Sequence, residues 1–222
     1  IIVNSKEVSD VLKKKFNLKS TIIYNELDKN DIINKSKKKV NIKFSNSYPI
    51  LISVGRLDKN KNHIFLIKAF NNLKNKIKYN LIILGSGAEN QYLLNKIYEY
   101  KLNNYIKIIN YKDNPYPYMS ISNFFILPSK IEGYPNVLLE AMTYGIPCVS
   151  FDCDTGPRDM IQNGINGLLV HPSEKELGLE NALRKLISDK NLRLNISKNA
   201  TLLREKYSVD NIMKQWDKTL GL

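Results

Sequence analysis

The sequence predicts an α/β fold in which a parallel sheet is covered by helices on both faces. The chain has 222 residues, of which 43% are hydrophobic, and this is enough to bury the core of one domain with an appendage. Short apolar runs alternate along it with segments of helical periodicity. Because these runs are apolar on both faces, they are typical of parallel strands buried between two layers of helices.

Six of the apolar runs are the predicted strands of this sheet: Ile50–Val54, Asn80–Leu84, Ile106–Ile109, Asn123–Leu127, Pro147–Phe151 and Gly167–Val170. Helical patterns lie between and after them, at Asn62–Leu73, Glu89–Tyr100, Pro115–Ser122, Asn136–Tyr144, Pro157–Gln162, Glu174–Ser188, Asn191–Glu205 and Val209–Leu220. At the start of the chain, the pattern predicts a strand at Ile1–Ser5, a helix at Lys6–Phe16 and a strand at Thr21–Asn25. The lysine- and asparagine-rich stretch Asp28–Ser47 is predicted to be an exposed linker or loop.

The net charge of +13 invites a nucleic-acid hypothesis, but the composition argues against it. Arg is scarce among the 34 basic residues, while Lys, Asn and Ile dominate throughout, which indicates an AT-biased gene more than a surface selected for phosphate. Nucleic acid is therefore not expected as a partner, and contact with an anionic membrane surface stays open. No apolar run approaches the length of a membrane span. The expected location is the cytoplasm or the inner face of the cytoplasmic membrane.

The cysteines and histidines offer no metal site and no catalytic set. Cys148 lies in an apolar run, and neither it nor Cys153 belongs to a C-x-x-C pair or lies near a His. We expect both to be reduced thiols. His63 and His171 have no sequence neighbour for a triad or a metal site, so structural or surface roles are expected.

The stretch from Ser129 to Asn166, SKIEGYPNVLLEAMTYGIPCVSFDCDTGPRDMIQNGIN, is the most informative part of the chain. It contains two carboxylates, Glu132 and Glu140, with seven residues between them. Gly133–Asn136 should form a tight loop that opens onto a helix N-terminus, where backbone N–H groups and the helix dipole favour a phosphate. Carboxylates accept hydrogen bonds from hydroxyls, so the layout fits a polyhydroxylated ligand that carries phosphate.

A second block, ILISVGRLDKNKN at Ile50–Asn62, puts Arg56 and Lys61 after a predicted strand. Gly55 gives the backbone freedom to turn there, and ligands bind at the carboxyl ends of parallel strands. Two cations that converge with a helix N-terminus can neutralise a diphosphate, and Arg can bind it through two hydrogen bonds. The alternative is a solvated pair of cations in a lysine-rich chain.

Both blocks resemble the signatures of family 4 glycosyltransferases, which are retaining enzymes of the GT-B fold. The central motif reads E-GYPNVLL-E, similar to the family's E-x7-E, and the flanks EAMTYGIPCV, DTGPRDMI and NGINGLLV also follow the family. The second block is similar to the family's strand–G-R-L-x3-K–helix element. The similar region runs from about Tyr48 to Val170. By this resemblance the chain is the C-terminal, donor-binding half of such an enzyme, and its sheet is Rossmann-like.

The resemblance implies three parts. Residues 1–25 would end the acceptor domain and form the crossover segment, 26–206 would be a Rossmann-like domain for a nucleotide-sugar, and 207–222 would be a helix that returns toward the N-terminal domain. By this comparison the acceptor domain is expected to be absent from the 222 residues. The apolar face of the last helix, including Ile212 and Trp216, is then expected to be partly bare.

The resemblance also implies roles for single residues. Arg56 and Lys61 would bind the donor diphosphate and stabilise the leaving nucleoside diphosphate. Glu140 would bind the ribose, and Glu132 would face the transferred sugar and support positive charge at its anomeric carbon. The loop and the first helical turn would supply further donor contacts, at Gly133, Tyr134, Pro135, Asn136, Val137 and Leu138. Arg158 would either reach the phosphates or form a surface ion pair.

Two turns are expected near the nucleotide. The family has a G-x-G turn where this chain has Gly85 and Gly87, with a plain strand–helix turn as the alternative, and Asn90 in place of a third glycine disfavours NAD. The next loop would pack on the nucleobase, with Tyr111 and Lys112 as contacts. Most relatives carry Gly in that loop and this chain does not, so the base stays open, with UDP favoured over GDP.

The sequence thus predicts a retaining glycosyltransferase that moves a hexose or N-acetylhexosamine from a nucleotide-diphospho-sugar to a glycan or lipid-linked acceptor, in bacterial surface polysaccharide or glycan synthesis. By resemblance, a single displacement on one face needs no protein nucleophile, no metal and no cofactor. The acceptor would bind through the missing domain, so the fragment alone is expected to be inactive. Two other classes stay open: a module that holds a nucleotide-sugar without transferring it, and a basic binder of nucleic acid or membrane.

Overall fold

A computed structural model describes residues 1–74 and 76–221, and strands and helices alternate along them. The strands are β1 (Ile2–Val3), β2 (Thr21–Ile22), β3 (Ile50–Val54), β4 (Asn80–Leu84), β5 (Ile106–Ile109), β6 (Phe124–Leu127), β7 (Cys148–Phe151) and β8 (Leu168–Val170). The helices are α1 (Lys6–Phe16), α2 (Lys29–Ser36), α3 (His63–Leu73), α4 (Asn90–Glu99), α5 (Tyr116–Ser120), α6 (Asn136–Tyr144), α7 (Pro157–Met160), α8 (Lys175–Ser188), α9 (Lys190–Thr201), α10 (Leu203–Lys206) and α11 (Val209–Leu220). None of these described helices is long and apolar enough to cross a bilayer.

Strands β3 to β8 form one parallel sheet in the order β5-β4-β3-β6-β7-β8. The predicted α/β fold, a Rossmann-like parallel sheet with helices on both faces, is confirmed. The strand order reverses between β3 and β6, which lie side by side in the middle of the sheet. At such a reversal the loops that leave the two strands separate and open a crevice at the carboxyl ends. A ligand site is therefore expected at the loops that follow β3 and β6.

Side chains of the central strands alternate between two cores, one on each face of the sheet. Leu51 and Phe124 belong to the core that α3 and α8 cover, whereas Ile52 and Phe125 belong to the core that α6 covers. This alternation follows from the two-residue period of a strand, and all four side chains are buried. It explains why these strands read as continuous apolar runs in the sequence.

The six predicted strands of the main sheet agree with the observed ones to within one residue. Strand β7 begins after Pro147, because proline has no backbone N–H to donate to the ladder. The single helix predicted at Asn191–Glu205 is two helices, α9 and α10, which meet at Leu202. Helix α9 begins directly after Asp189, whose carboxylate caps it by accepting a hydrogen bond from the backbone N–H of Leu192 at 2.8 Å.

The prediction of an exposed linker or loop at Asp28–Ser47 is wrong for its first part, which holds α2. Asp28 caps this helix, since its carboxylate accepts a hydrogen bond from the backbone N–H of Asp31 at 3.0 Å. Ile32 is buried in the core that α6 covers. The many surrounding lysines and asparagines conceal this one buried face in the sequence. Residues 39–49 form neither helix nor strand.

The first and last segments of the chain pack on the same core. Strands β1 and β2 form a separate two-stranded parallel sheet. The backbone N–H of Leu27 donates to the carbonyl oxygen of Tyr207 at 2.8 Å, which joins the two segments. The last helix has a partly bare apolar face as expected, but Ile212 does not contribute to it because it is buried, and Trp216 is half-buried against the core. The exposed apolar side chains of α11 are instead Val209, Met213 and Leu220.

Candidate functional site

A cleft of about 540 Å³ opens at the carboxyl ends of β3, β4 and β5, beside the first turn of α6. The residues predicted from the sequence that line it are Gly55, Arg56, Lys61, Gly85, Tyr111, Lys112, Asn136, Val137 and Glu140. The predicted residues outside its lining are Gly87, Glu132, Gly133, Tyr134, Pro135 and Leu138. The cleft also contains residues that were not predicted, namely Val54, Leu84, Ser86, Asp113, Pro115 and Tyr116.

Gly85 and Gly87 let the chain after β4 run directly against the loop that follows β3. A Cβ on Gly85 would overlap the carbonyl oxygen of Gly55, and one on Gly87 would overlap the backbone of Leu57. The N–H of Leu57 donates to the carbonyl oxygen of Ser86 at 2.9 Å and fixes this contact. Close packing alone accounts for Gly87, whereas Gly85 also lines the cleft.

The two predicted cations of the cleft each have a carboxylate partner. Arg56 is 77% exposed, and its Nη2 lies 3.1 Å from Oδ2 of Asp58. Lys61 is 18% exposed, and its Nζ lies 2.5 Å from Oε1 of Glu132. Asp58 also shapes the loop, because its Oδ1 accepts hydrogen bonds from the backbone N–H groups of Asn60 at 3.0 Å and of Lys61 at 2.9 Å.

Glu132 joins the loop after β6 to the loop after β3, across the point where the strand order reverses. Its side chain is 8% exposed and contacts Lys61. Lys61 lines the cleft, whereas Glu132 lies outside the lining. The backbone N–H of Lys130 donates to the carbonyl oxygen of Asn60 at 2.7 Å, so backbone and side chains both tie the loops together. The hydroxyl of Thr155, after β7, donates to the carbonyl oxygen of Glu132. No local pattern predicts these contacts, because they join distant parts of the chain.

The loop that precedes α6 turns its side chains away from the cleft. The ring of Tyr134 packs against those of Tyr24 and Tyr207, with centroids 5.4 Å and 6.4 Å apart. Burial raises the pKa of the Tyr134 hydroxyl, which therefore stays neutral. Pro135 is buried, and a Cβ on Gly156 would lie 2.6 Å from its Cδ. These side chains hold the loop in place, and the structure does not bring them into the cleft.

The first turn of α6 faces the cleft through Asn136, Val137 and Glu140. Within the described chain no side chain caps this helix, so the positive end of its dipole is available to an anion. The N–H groups of Asn136 and Leu138 already donate to the carbonyl oxygens of Tyr134 and Pro135, at 3.0 Å and 2.9 Å. Asn136 is held by Asn25, whose Nδ2 donates to its Oδ1 at 2.7 Å. Leu138, predicted as a donor contact, is fully buried in the core, because successive side chains lie about 100° apart around a helix.

Glu140 lies in the cleft wall beside Tyr116. Burial raises the pKa of the Glu140 carboxyl, and a hydrogen bond with the Tyr116 side chain opposes that rise. Burial and the nearby Glu140 charge raise the pKa of the Tyr116 hydroxyl, which therefore keeps its proton. A carboxylate held by one phenol can accept further hydrogen bonds from the hydroxyls of a ligand.

The loop after β5 contributes Tyr111, Lys112 and Asp113 to the cleft. The ring of Tyr111 is exposed, and its backbone N–H donates to Oγ of Ser86 at 2.9 Å. This bond ties the loop to the turn after β4. The signal that could have identified Ser86 and Asp113 is their position in the loops that follow the carboxyl ends of two parallel strands.

The remaining sequence candidates lie outside the cleft. Arg158 forms an ion pair with Asp152 at 2.9 Å, as one of its two predicted alternatives requires. His63 is buried, and burial together with a neighbouring cation lowers its pKa to about 4. Burial raises the pKa of the thiols of Cys148 and Cys153. In the part of the chain that the structure describes, no group of three or more His, Cys, Asp or Glu side chains could hold a metal ion.

Residues 34–202 match the family model described as glycosyl transferases group 1. The chain is 34% identical over 196 residues to the N-acetylgalactosamine-N,N'-diacetylbacillosaminyl-diphospho-undecaprenol 4-alpha-N-acetylgalactosaminyltransferase of Campylobacter jejuni, covering 87% of this chain and 52% of that protein. It is 33% identical over 171 residues to the amylovoran biosynthesis glycosyltransferase AmsD of Erwinia amylovora, covering 77% of this chain and 48% of that protein. The chain spans about half the length of the curated relatives it matches.

Solved structures share the fold. HepE of Anabaena, in complex with UDP, is similar with a TM-score of 0.84 at 22% identity, over 99% of this chain and 63% of that chain. The pneumococcal O-GlcNAc transferase GtfA, in complex with UDP and GlcNAc, has a TM-score of 0.82 at 22% identity, over 99% of this chain and 44% of that chain. The family model matches most of the chain, and two curated relatives are about one third identical to it over the aligned residues. The chain therefore belongs to the group 1 glycosyltransferases.

Proposed function

We propose that the chain is the donor-binding half of a retaining GT-B glycosyltransferase of family 4. The enzyme transfers a hexose or N-acetylhexosamine from a nucleotide-diphospho-sugar to a glycan or lipid-linked acceptor. The observation that carries the proposal is the convergence of Arg56, Lys61 and the uncapped N-terminus of α6 on one cleft. Two cations and a helix dipole favour a diphosphate there.

The donor lies in the cleft with its diphosphate between the loop after β3 and the first turn of α6. Glu140 accepts hydrogen bonds from the ribose, since its carboxylate lines the cleft beside the phosphate position. The nucleobase packs on the loop after β5, where Tyr111 exposes its ring and Lys112 its cation. Two solved relatives in fold are named as complexes with UDP, and this supports UDP over GDP as the nucleotide.

In the proposed reaction Arg56 and Lys61 stabilise the negative charge that develops on the leaving nucleoside diphosphate. Glu132 supports the positive charge at the anomeric carbon of the sugar, from the loop that adjoins Lys61. The donor phosphate itself helps to take the acceptor proton in a single displacement on one face. This scheme assigns no role to a protein nucleophile, a metal or a cofactor.

The acceptor binds outside the region described here, against an N-terminal domain. Residues 26–206 form the nucleotide-sugar domain, while 1–25 and 207–222 are the segments that cross between domains. One named relative acts on a diphospho-undecaprenol-linked glycan and another in amylovoran biosynthesis, which supports a glycan or lipid-linked acceptor and an enzyme at the inner face of the cytoplasmic membrane. The net charge of +13 is compatible with peripheral contact with anionic lipid.

Calorimetric titration of the 222-residue chain with uridine, UDP, GDP and ADP tests the proposal. We expect one nucleoside diphosphate to bind and to raise the melting temperature, and its nucleoside to bind more weakly. Failure of all three diphosphates to bind would contradict the proposed function. Incubation of the complete protein with a labelled nucleotide-sugar and a lipid-linked acceptor separates a transferase from a module that holds the donor without transferring it.

A further inference from the structure

The two cations of the cleft differ in how firmly a carboxylate holds them. The Arg56–Asp58 pair is open to water, with side chains 77% and 28% exposed, and such pairs contribute little energy. The Lys61–Glu132 pair is nearly closed to water, so its mutual attraction is much less screened. A phosphate that enters the cleft therefore meets one cation that is freely available and one that is already neutralised.

Two hydrogen bonds hold the loop that carries Glu132 and place its carboxylate against Lys61. Thr155 donates its hydroxyl to the carbonyl oxygen of Glu132 from one side. The N–H of Lys130 donates to the carbonyl oxygen of Asn60 from the other side, at 2.7 Å. Because both bonds engage backbone atoms, they fix the loop while the carboxylate itself remains free to exchange its partner.

The charge of Glu132 has opposite consequences for a nucleoside diphosphate and for a nucleotide-sugar. A nucleoside diphosphate brings a terminal phosphate that competes with Glu132 for Lys61 and is repelled by it. A sugar on that phosphate lowers its charge and brings hydroxyl groups, which donate hydrogen bonds to a carboxylate. Glu132 thus loses Lys61 in both complexes but gains a new partner in one of them.

We propose that Glu132 is a counter-ion that Lys61 exchanges for the donor phosphate, and that after transfer Glu132 competes with the nucleoside diphosphate product for Lys61 and so weakens product binding. This inference rests on the proposed function, because it requires a nucleotide-sugar in the cleft. Glu132 is then a specificity-determining residue that separates donor from product. Thr155 is a positioning residue that acts through Glu132.

Calorimetry with UDP and with UDP-N-acetylglucosamine on wild type, Glu132→Gln, Lys61→Met and the double variant tests the exchange. Glu132→Gln should tighten UDP binding roughly fivefold, a change of about 1 kcal/mol. Binding of the UDP-sugar should tighten less or weaken, so that the affinity for UDP rises relative to the affinity for the UDP-sugar. In the Lys61→Met background the same substitution should tighten UDP binding by a clearly smaller factor, because the competition for Lys61 is gone and only the direct repulsion between Glu132 and the phosphate remains.

Glu180→Gln is the matched control, since Glu180 is a carboxylate 10% exposed that pairs with Arg184 on α8 at 2.7 Å, outside the cleft. It should leave UDP affinity unchanged. Unchanged or weaker UDP binding by folded Glu132→Gln would overturn the counter-ion role. If Glu132→Gln does not fold, Glu132→Asp shortens the carboxylate and should move UDP affinity in the same direction. Absence of UDP, GDP and ADP binding to wild type would instead contradict the proposed function, so the two failures are distinct.

Thr155→Val and Thr155→Ser test the positioning residue. Thr155→Val should tighten UDP binding by a smaller factor than Glu132→Gln, because it loosens Glu132 without removing the charge. Thr155→Ser keeps the hydroxyl and should restore the wild-type affinity. A Thr155→Val variant that loses stability with no change in UDP affinity would overturn the assignment.

Discussion

The Arg56–Asp58 and Lys61–Glu132 pairs flank the same cleft and differ in burial and in reach along the chain. Asp58 lies two residues from Arg56 in one loop, whereas Glu132 comes from the loop after β6 to meet Lys61. Each member of an exposed ion pair can be solvated by water when the pair breaks, so the loss of free energy is small. Removal of one member of a buried pair instead leaves an uncompensated charge. In the proposed function Lys61 therefore both stabilises the fold and binds the ligand, whereas Arg56 only binds the ligand.

The largest effect should come from Lys61→Met. This change leaves the carboxylate of Glu132 buried without its cation, and such a loss lowers the free energy of unfolding by about 3–5 kcal/mol. Urea unfolding followed by circular dichroism measures it. The exposed neighbour Lys59 offers a matched control, since Lys59→Met should change stability by no more than about 0.5 kcal/mol. Equal effects of the two variants would mean that the Lys61–Glu132 pair contributes no more than a surface charge.

A pH-dependent effect should come from His63, two residues beyond Lys61. Burial first, and then the Lys61 charge, lower its folded pKa to about 4 from an ordinary 6.5, while Asp58 opposes this. As the pH falls, the unfolded chain takes up a proton near 6.5 and the folded chain only near 4. The stability from neutral His63 is thus full above pH 6.5 and falls by about 3 kcal/mol as the pH drops toward 4.

Urea unfolding of wild type and His63→Gln at pH 7.5 and 4.5 measures this contribution. The wild type should lose more stability between the two pH values than the variant does. An identical loss in both proteins would show that groups other than His63 carry the acid sensitivity.

A smaller effect is expected from Arg56→Ala, and it concerns binding more than folding. UDP affinity should fall by about 1.5–3 kcal/mol, the range for a hydrogen bond to a charged group, while uridine affinity is retained. Because the pair with Asp58 is exposed, the free energy of unfolding should change by less than about 0.5 kcal/mol. Calorimetry and urea unfolding of the same preparation separate the two quantities. Equal losses for uridine and UDP would argue against a phosphate contact.

The smallest effect is expected from Glu140→Gln. The proposed function has the Glu140 carboxylate accept hydrogen bonds from the ribose, so its removal should weaken the binding of uridine and UDP alike, by about 1 kcal/mol. Glu132→Gln should leave uridine unaffected, because its carboxylate contacts Lys61 and not the ribose position. Weaker uridine binding by Glu132→Gln with no change in Glu140→Gln would mean that the two roles are assigned the wrong way round.

The fold was largely predictable because its strands are short runs that are apolar on both faces. Ile50–Val54 and Asn80–Leu84 follow directly from that pattern, since neighbouring residues fill two different cores. Helix α2 was missed because a cap at Asp28 and only two buried side chains, Ile32 and Ser36, hold it in place among residues whose composition indicates a loop. Local composition does not reveal a helix whose stability comes from tertiary packing.

The residues of the candidate site were predictable where they directly follow the ends of strands. Contacts between residues from two different loops were less predictable. Arg56 and Glu140 line the cleft as their positions implied. The Lys61–Glu132 contact depends on the strand order, which brings the loops after β3 and β6 together. Leu138 could have been excluded as a side-chain contact from the helical period, because Asn136 and Glu140 share a face that it does not.

At Gly156 the loop after β7 comes as close to the loop before α6 as bare backbone allows. One added methyl group would lie 2.6 Å from Cδ of Pro135 and 2.7 Å from the carbonyl oxygen of Gly133, at a φ of +91° that favours glycine. Any larger residue would act as a wedge between the two loops and push the backbone next to Glu132 outward. The loop that carries Glu132 toward Lys61 therefore packs against a position that has no room for a methyl group.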